Sequence, residues 1–190
     1  MDLINIFTVY PLRISGDIIG STQEAASKML GWLQVMTHEN GEISFFNDAA
    51  IGIAAKPSRI YEYASLLSVE LPKVRQDRLI TLAESGYSRI NMLSHAVCFD
   101  HAMVGPDYLP GHAHADSLSL EWSVGKQRVM VNSGTSMYGV SDERLIQRGT
   151  AAHNTVVVDG ENSSEVWSGF RVARRAYTSV TELSEVSNKV

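Results

Sequence analysis

The 190-residue sequence predicts an α+β protein, with helices in the first part of the chain and antiparallel strands in the second. Two observations support this prediction. Apolar residues recur at helical spacing before Gly86, and short alternations of apolar and β-branched residues follow it. Helices followed by strands are typical of α+β order, or of a helical domain passing directly into a β-sandwich. We therefore divide the chain into a helical segment, 1–86, and an antiparallel, sandwich-type β-domain, 87–190.

Three helices are predicted in the first segment, each next to a capping or chain-breaking residue. The first follows a capping-box pattern, in which Ser21 precedes Glu24, and it ends at Asn40-Gly41. The second begins at Ser58, directly after a proline. The third covers about 73–85 and is closed by a glycine.

The second segment is expected to contain several short strands separated by glycine turns. Two of them flank Gly125-Lys126 and are expected to form a hairpin. One, NTVVV, is apolar enough to be a buried strand. The predicted strand regions are 87–100, 112–124, 127–132, 154–158 and 170–182.

Composition and charge narrow the function classes. The net charge of −5 does not favour nucleic acid, and it would repel a polyanion unless basic groups were concentrated locally. With Cys98 as its one cysteine, the chain cannot form an internal disulfide. No apolar run is long enough for a membrane span. The best candidates for a local basic surface are Arg144, Arg148, Arg171, Arg174 and Arg175.

The segment His112-Ala-His114-Ala-Asp116 is the first candidate for chemistry. In a strand, alternate side chains share a face, so both histidines and the aspartate are expected on one face. Burying three such groups without partners is unfavourable, which favours a site over a core. A solvated strand face with two surface histidines is the alternative.

Later segments supply potential partners for these residues. Each is weak alone, because a glycine turn or an arginine pair is usually only a turn or a solvated face. Their order along the chain makes the pattern informative. The segments are the turn Asn132-Ser-Gly-Thr135 with Tyr138 after it, the strand opening His153-Asn-Thr155, and the tail Ser164-Glu-Val-Trp167 with Phe170-Arg171.

Taken together, these segments resemble the C-terminal region of bacterial heparinase II/III-like proteins. The FFNDAA stretch at 45–50 is also similar, and the resemblance covers roughly 20–180. It implies that the N-terminal helices are the end of an α/α toroid, followed by the β-domain of this family. It also implies a lyase acting on uronic-acid polysaccharides such as heparan sulfate, another glycosaminoglycan or alginate.

Such lyases cleave by β-elimination, which requires three functions. The uronate carboxylate must be neutralised, a base must remove the C5 proton, and an acid must protonate the leaving oxygen. His112 matches the family's histidine near the scissile bond, so we expect it to act as general acid/base or orienting group. We expect Tyr138, Arg148, Asn47 and Asp48 to contact substrate. For Asn47 and Asp48, a turn or helix-capping role is the alternative.

The resemblance also implies a structural zinc ion in the β-domain, held by a histidine, an aspartate and a histidine. The matching positions are His114, Asn132 and His153. Asn132 departs from the family pattern, and a neutral amide is a poorer zinc ligand than a carboxylate. Asp116 is a substitute ligand. Without metal, the same residues would form a hydrogen-bonded cluster.

A second departure concerns length. In the family, the catalytic tyrosine and the carboxylate-neutralising residues lie in the toroid, far ahead of the His-x-His segment, and most of a toroid is missing here. We therefore expect a fragment or truncated homologue that is inactive alone. Its exposed toroid surface could drive homo-oligomerisation. The family implies a periplasmic or secreted protein, although Asp2 stands where a signal peptide would carry positive charge.

Two other functions compete with the lyase. A non-catalytic carbohydrate-binding or interaction module could use Trp122, Tyr138, Trp167 and the arginines to bind acidic sugars. A zinc metallohydrolase would explain His-x-His-x-Asp, which opens the metallo-β-lactamase signature. Ser117 stands where that signature continues with histidine, and the later segments do not resemble that superfamily.

Overall fold

A computed structural model describes residues 1–9, 16–73 and 77–184. The α+β prediction is confirmed, since three helices precede an antiparallel sheet of five strands. Helices and strands follow in the order α1 (Asp2–Val9), α2 (Gly16–Val35), α3 (Pro57–Leu66), β1 (Leu79–Leu82), β2 (Tyr87–Met92), β3 (His95–Asp100), β4 (Leu120–Val124), β5 (Gln127–Met130), α4 (Asp142–Arg148), β6 (Val166–Trp167) and β7 (Arg171–Val172).

The three N-terminal helices pack around a small apolar core. Its buried members are Ile4, Ala26, Leu30, Ala64 and Val69. No helix within the described ranges is long and apolar enough to cross a membrane.

The predicted helix boundaries need two corrections. Ser21 does not cap α2, which begins at Gly16; its hydroxyl instead donates to the Ile18 carbonyl within the helix. Ser58 does not cap α3 either. Lys56 occupies the N-cap position, but its side chain does not cap the helix. Pro57 begins the helix, where its missing N–H has no consequence.

The predicted third helix is wrong in its second half, because Leu79–Leu82 forms strand β1. This strand pairs with β2 in an antiparallel hairpin, and Gly86 turns the hairpin with a φ of +72°. Cross-strand pairing here overrides the local helical pattern. Of the region predicted as helix, 74–76 lie outside the described residues.

The five main strands form a simple meander in which each strand pairs with the next along the chain. One face of the sheet meets the end of α2 through a second core cluster of Met36, Phe46, Tyr87 and Cys98. A separate two-stranded ladder pairs β6 with β7.

Three of the predicted strand regions contain less regular structure than expected. The strand expected at 112–124 begins only at Leu120, so 112–119 form an irregular loop in which side-chain alternation does not apply. Residues 154–158 are not a buried strand, because Val156, Val157 and Val158 are exposed. Within 170–182, regular secondary structure is limited to the two residues of strand β7. Helix α4 was not predicted from the sequence.

Candidate functional site

The carboxylate of Asp48 is the centre of a polar cluster on three loops. Its Oδ2 atom lies 2.8 Å from His112 Nδ1, and its Oδ1 atom lies 2.8 Å from His114 Nε2. Thr135 donates its hydroxyl to Oδ1 at 2.8 Å, and the Arg144 guanidinium binds both carboxylate oxygens. Burial raises the pKa of Asp48, but the hydrogen bonds from these four residues outweigh that effect and hold the pKa far below its ordinary value. The group is therefore an anion.

The loop carrying Asp48 is fixed on both sides. Asn47 donates its backbone N–H to Asp116 at 3.2 Å, and its side-chain oxygen accepts the His114 N–H at 3.3 Å. On the other side, Gly134 adopts a φ of +67°, and a Cβ there would lie 2.7 Å from the Ala49 carbonyl oxygen. The glycine of the predicted turn is thus required for a close approach to this loop.

Two arginines one helical turn apart on α4 point into the interior. Arg144 binds Asp48, and Arg148 donates to the backbone carbonyls of Ala113, Ser168 and Arg171. Both side chains are completely buried. Arg148 therefore links α4 to the Ala113 loop and to the β6–β7 hairpin, and it lies away from the surface where a substrate contact was expected.

His112 lies at the surface above Asp48, with its side chain 72% exposed. Its ring meets Tyr138 and Phe170 edge-on, at centroid distances of 6.1 and 6.4 Å. Those two aromatic rings stack on each other at 5.9 Å and are each about half exposed. The Arg144 guanidinium supports both rings from beneath, 5.3 Å and 5.6 Å from their centroids. The result is an exposed aromatic pair beside an exposed imidazole.

The stacking of this pair depends on two glycines. A Cβ at Gly169 would collide with the carbonyl oxygen of Gly139. Gly139 itself has a φ of +102°, a conformation that side chains other than glycine rarely adopt. The close contact between the two backbones brings Tyr138 and Phe170, which are their neighbours in sequence, into register.

Behind Asp48 lies a second cluster, formed by His114, Asp116 and His153. All three are buried, and each offers one ligand atom within 4.8 Å of the others. The His114 Nδ1 and His153 Nε2 atoms are 3.3 Å apart. Burial, together with the neighbouring His114, lowers the pKa of His153 to about 4, partly offset by the Asp116 charge. His153 is consequently neutral near pH 7.

Asn132 is buried beside this cluster but makes a different contact. Its side-chain oxygen accepts the Asn154 backbone N–H at 3.0 Å, and its own N–H donates to Glu121 at 2.9 Å. The oxygen that would bind a metal is therefore engaged with the backbone next to His153. Asp116 provides the carboxylate of the cluster.

The structure thus brings together most of the residues that the sequence suggested. Asp48, His112, His114 and Asn47 are in direct contact, although the expected strand is absent. Sequence reasoning missed the contributions of Arg144, Thr135 and Phe170. The spacing of Arg144 and Arg148, four residues apart after a serine cap, indicates one face of a short helix and was the available signal.

Comparisons with known proteins identify the family and the fold. A family model, "Heparinase II/III-like, C-terminal", matches residues 75–190. A heparinase III crystal structure covers 97% of this chain at 14% identity and a TM-score of 0.69. The heparan sulfate lyase HepC from Pedobacter heparinus covers 73% at 17% identity and a TM-score of 0.55. A search of curated proteins gave no significant match.

The structural relatives are much longer than this chain. It spans 32% of the heparinase III chain and 25% of the HepC chain. At these identities the structural matches establish the fold, whereas the family model covers more than half of the chain. The chain therefore belongs to the heparinase II/III-like family, of which it carries the C-terminal region.

Proposed function

We propose that this chain forms the β-domain side of a polysaccharide lyase active site, acting on uronic-acid polysaccharides by β-elimination. The observation that supports it most is the exposed His112, oriented by buried Asp48 and flanked by the Tyr138–Phe170 pair. Aromatic faces of this kind bind sugar rings by stacking. The family match and the structural similarity to HepC, a heparan sulfate lyase, favour an acidic polysaccharide.

The hydrogen bond to Asp48 determines what His112 can do. When Nδ1 donates to the carboxylate, the free lone pair is on Nε2, on the exposed side of the ring. Nε2 can then accept a proton from a bound sugar or return one to the leaving oxygen. The Asp48 anion stabilises the imidazolium in between, in the manner of the aspartate in a catalytic triad.

For the His114–Asp116–His153 cluster we propose a structural zinc ion. Two imidazole nitrogens and a carboxylate are a favoured zinc donor set. The 3.3 Å between the histidine nitrogens is close to the roughly 3.4 Å expected between neighbouring ligands of a tetrahedral zinc ion. Asp48 holds the far nitrogen of His114, the arrangement by which carboxylates orient zinc-binding histidines. Such an ion would brace the loops beneath His112.

Burial of the cluster argues against the metallohydrolase alternative. A catalytic zinc ion keeps a coordination position open to substrate. Here His114, Asp116 and His153 are between 0% and 7% exposed, so little of the cluster faces the solvent from which a substrate would come. The exposed histidine, His112, is bound to Asp48 and is not part of the cluster.

We further propose that the 190-residue chain alone binds saccharide without cleaving it. The resemblance assigns the second acid–base residue and the carboxylate-neutralising groups to toroid helices, and this chain spans about a third of heparinase III. Binding without turnover is also what a carbohydrate-binding module would show. The lyase and the binding module therefore predict different behaviour only for the gene product that contains this chain, where the lyase cleaves and the module does not. We place that gene product outside the cytoplasm.

The test is to incubate that gene product with heparan sulfate and with alginate and to follow the ultraviolet absorbance of unsaturated uronate ends. Formation of these ends supports the lyase. Saturable binding with no unsaturated product supports the binding module. Cleavage that gives saturated ends would identify a hydrolase and contradict the proposal.

A further inference from the structure

Phe170, which contacts the His112 ring, also lines a cavity that none of the functions above uses. The cavity has a volume of about 580 Å³, which is in the range of sites for small ligands. It lies between the loop before Gly111 and the turn joining β6 to β7. Its lining includes Tyr108, Pro110, Ser168, Phe170, Arg171 and Arg175.

The two arginines of this cavity differ in their pairing. Arg175 donates to the Asp107 carboxylate at 2.7 Å and to its backbone carbonyl at 3.1 Å. This pair is close to neutral overall. The guanidinium of Arg171 has no hydrogen bond or ion pair within the part of the chain that the structure describes, and Arg171 is exposed. In a chain of net charge −5, the cavity therefore carries one uncompensated positive charge.

The surfaces of the cavity suit a sugar ring. Tyr108 is 88% exposed and Phe170 is 43% exposed, so the cavity lining offers two aromatic side chains for stacking. The main-chain carbonyl of Arg171 is held by Arg148, and Arg148 is itself buried. The backbone that carries the free guanidinium is thus anchored to the interior.

From these observations we infer that the cavity is a subsite for an anionic sugar residue, next to the residue bound at His112. The inference rests on the proposed function in taking a polysaccharide as the ligand. Phe170 forms one wall of the cavity and meets the His112 ring edge-on. A chain crossing Phe170 would place its next acidic residue beside Arg171, which would bind a carboxylate or a sulfate through charge-assisted hydrogen bonds.

The test is calorimetric binding of two oligosaccharides of equal length, one from heparan sulfate and one from unsulfated heparosan. We expect Arg171→Gln to weaken binding about tenfold. Asp107→Asn removes the carboxylate that neutralises Arg175, and we expect it to strengthen binding about two- to fivefold. A gain of affinity cannot result from misfolding. Arg174→Gln is the matched control, because Arg174 is also exposed and unpaired among the described residues but does not line the cavity.

The outcomes separate the alternatives. A loss in Arg171→Gln with both saccharides identifies a carboxylate as the ligand group, and a loss confined to heparan sulfate identifies a sulfate. Equal losses in the Arg171 and Arg174 variants, or no change in either cavity variant, would overturn the inference. So would a wild-type chain that binds neither saccharide. If the wild-type gene product cleaves the polysaccharide but Arg171→Gln binds saccharide as tightly as the wild type, the subsite is refuted and the proposed function still holds.

Discussion

The Asp48 carboxylate lies 2.8 Å from His112 Nδ1 and connects an exposed imidazole to the interior of the protein. Asp48 is 6% exposed as a side chain and His112 is 72% exposed. Loops far apart in the sequence therefore place a charged acceptor directly beneath a surface histidine. This arrangement fixes the ring orientation before any ligand binds, which is the condition for efficient proton transfer.

Removing the Asp48 charge should destabilise the fold. Asp48→Asn leaves the fully buried Arg144 guanidinium without its counterion, and we expect a loss of about 3–5 kcal/mol in the free energy of unfolding. Urea denaturation measures it. Asp107→Asn is the matched control. The Asp107 side chain is 90% exposed, and its backbone carbonyl still accepts from Arg175 in the variant, so the change should cost less than about 1 kcal/mol. Similar losses in both variants would show that Asp48 is not a buried hub.

The stacking of Tyr138 on Phe170 should depend on the close contact between Gly139 and Gly169. Gly169→Ala forces a Cβ against the Gly139 carbonyl, and we expect a loss of about 1–3 kcal/mol together with weaker saccharide binding. Gly20→Ala is the control. Gly20 lies in α2 with open space around it, so alanine there should be neutral or stabilise by up to about 1 kcal/mol. Unchanged stability and binding in Gly169→Ala would argue against the contact.

The buried Asp100 should make stability depend on pH. Burial, together with the Asp116 charge, raises the pKa of Asp100 from 3.8 to about 8. Between these values the folded chain keeps a proton that the unfolded chain loses, so this group's contribution to stability falls as pH rises. Asp100→Asn resembles the protonated acid. We expect its stability relative to wild type to increase from pH 4 to pH 8 and then level off, measured in a chelator. A difference that does not vary with pH would contradict this assignment.

Metal binding can be tested apart from activity. We expect native mass spectrometry to find one zinc ion per chain, and chelation to lower the melting temperature. His114→Ala and His153→Ala should lose the ion. His95→Gln is the control, because His95 stacks on Trp122 in the sheet, away from the cluster. Wild-type protein that binds no zinc, or a His114→Ala variant that retains it, would exclude this site.

The residue pattern was sufficient to predict that helices precede an antiparallel sheet. It also drew attention to His114, Asp116 and His153, which lie close together in the structure. The patterns that carried most information were the glycine turn before Thr135, the histidine pair of 112–116 and His153. They predict contacts because they combine polar groups that are unfavourable to bury singly with glycines that allow close approach.

Other features depended on contacts between distant residues. His112, His114 and Asp116 do not share a strand face, because 112–119 form a loop in which one histidine is exposed and the other is buried. Arg148 was expected at the surface, but its partners are the carbonyl of Ala113 and those of Ser168 and Arg171 in the β6–β7 hairpin. Local sequence carries no signal for such pairings, which is also why Leu79–Leu82 was assigned to a helix.

The measurement that tests the lyase proposal most directly is the rate at which the gene product containing this chain forms unsaturated uronate ends. This rate is compared between the wild type and the His112→Gln variant. Glutamine keeps a hydrogen-bonding group but cannot exchange a proton near neutral pH. We predict measurable product from the wild type and a loss of about a hundredfold or more in kcat for the variant, with oligosaccharide affinity nearly unchanged. Wild-type rates in His112→Gln would contradict the role assigned to this histidine.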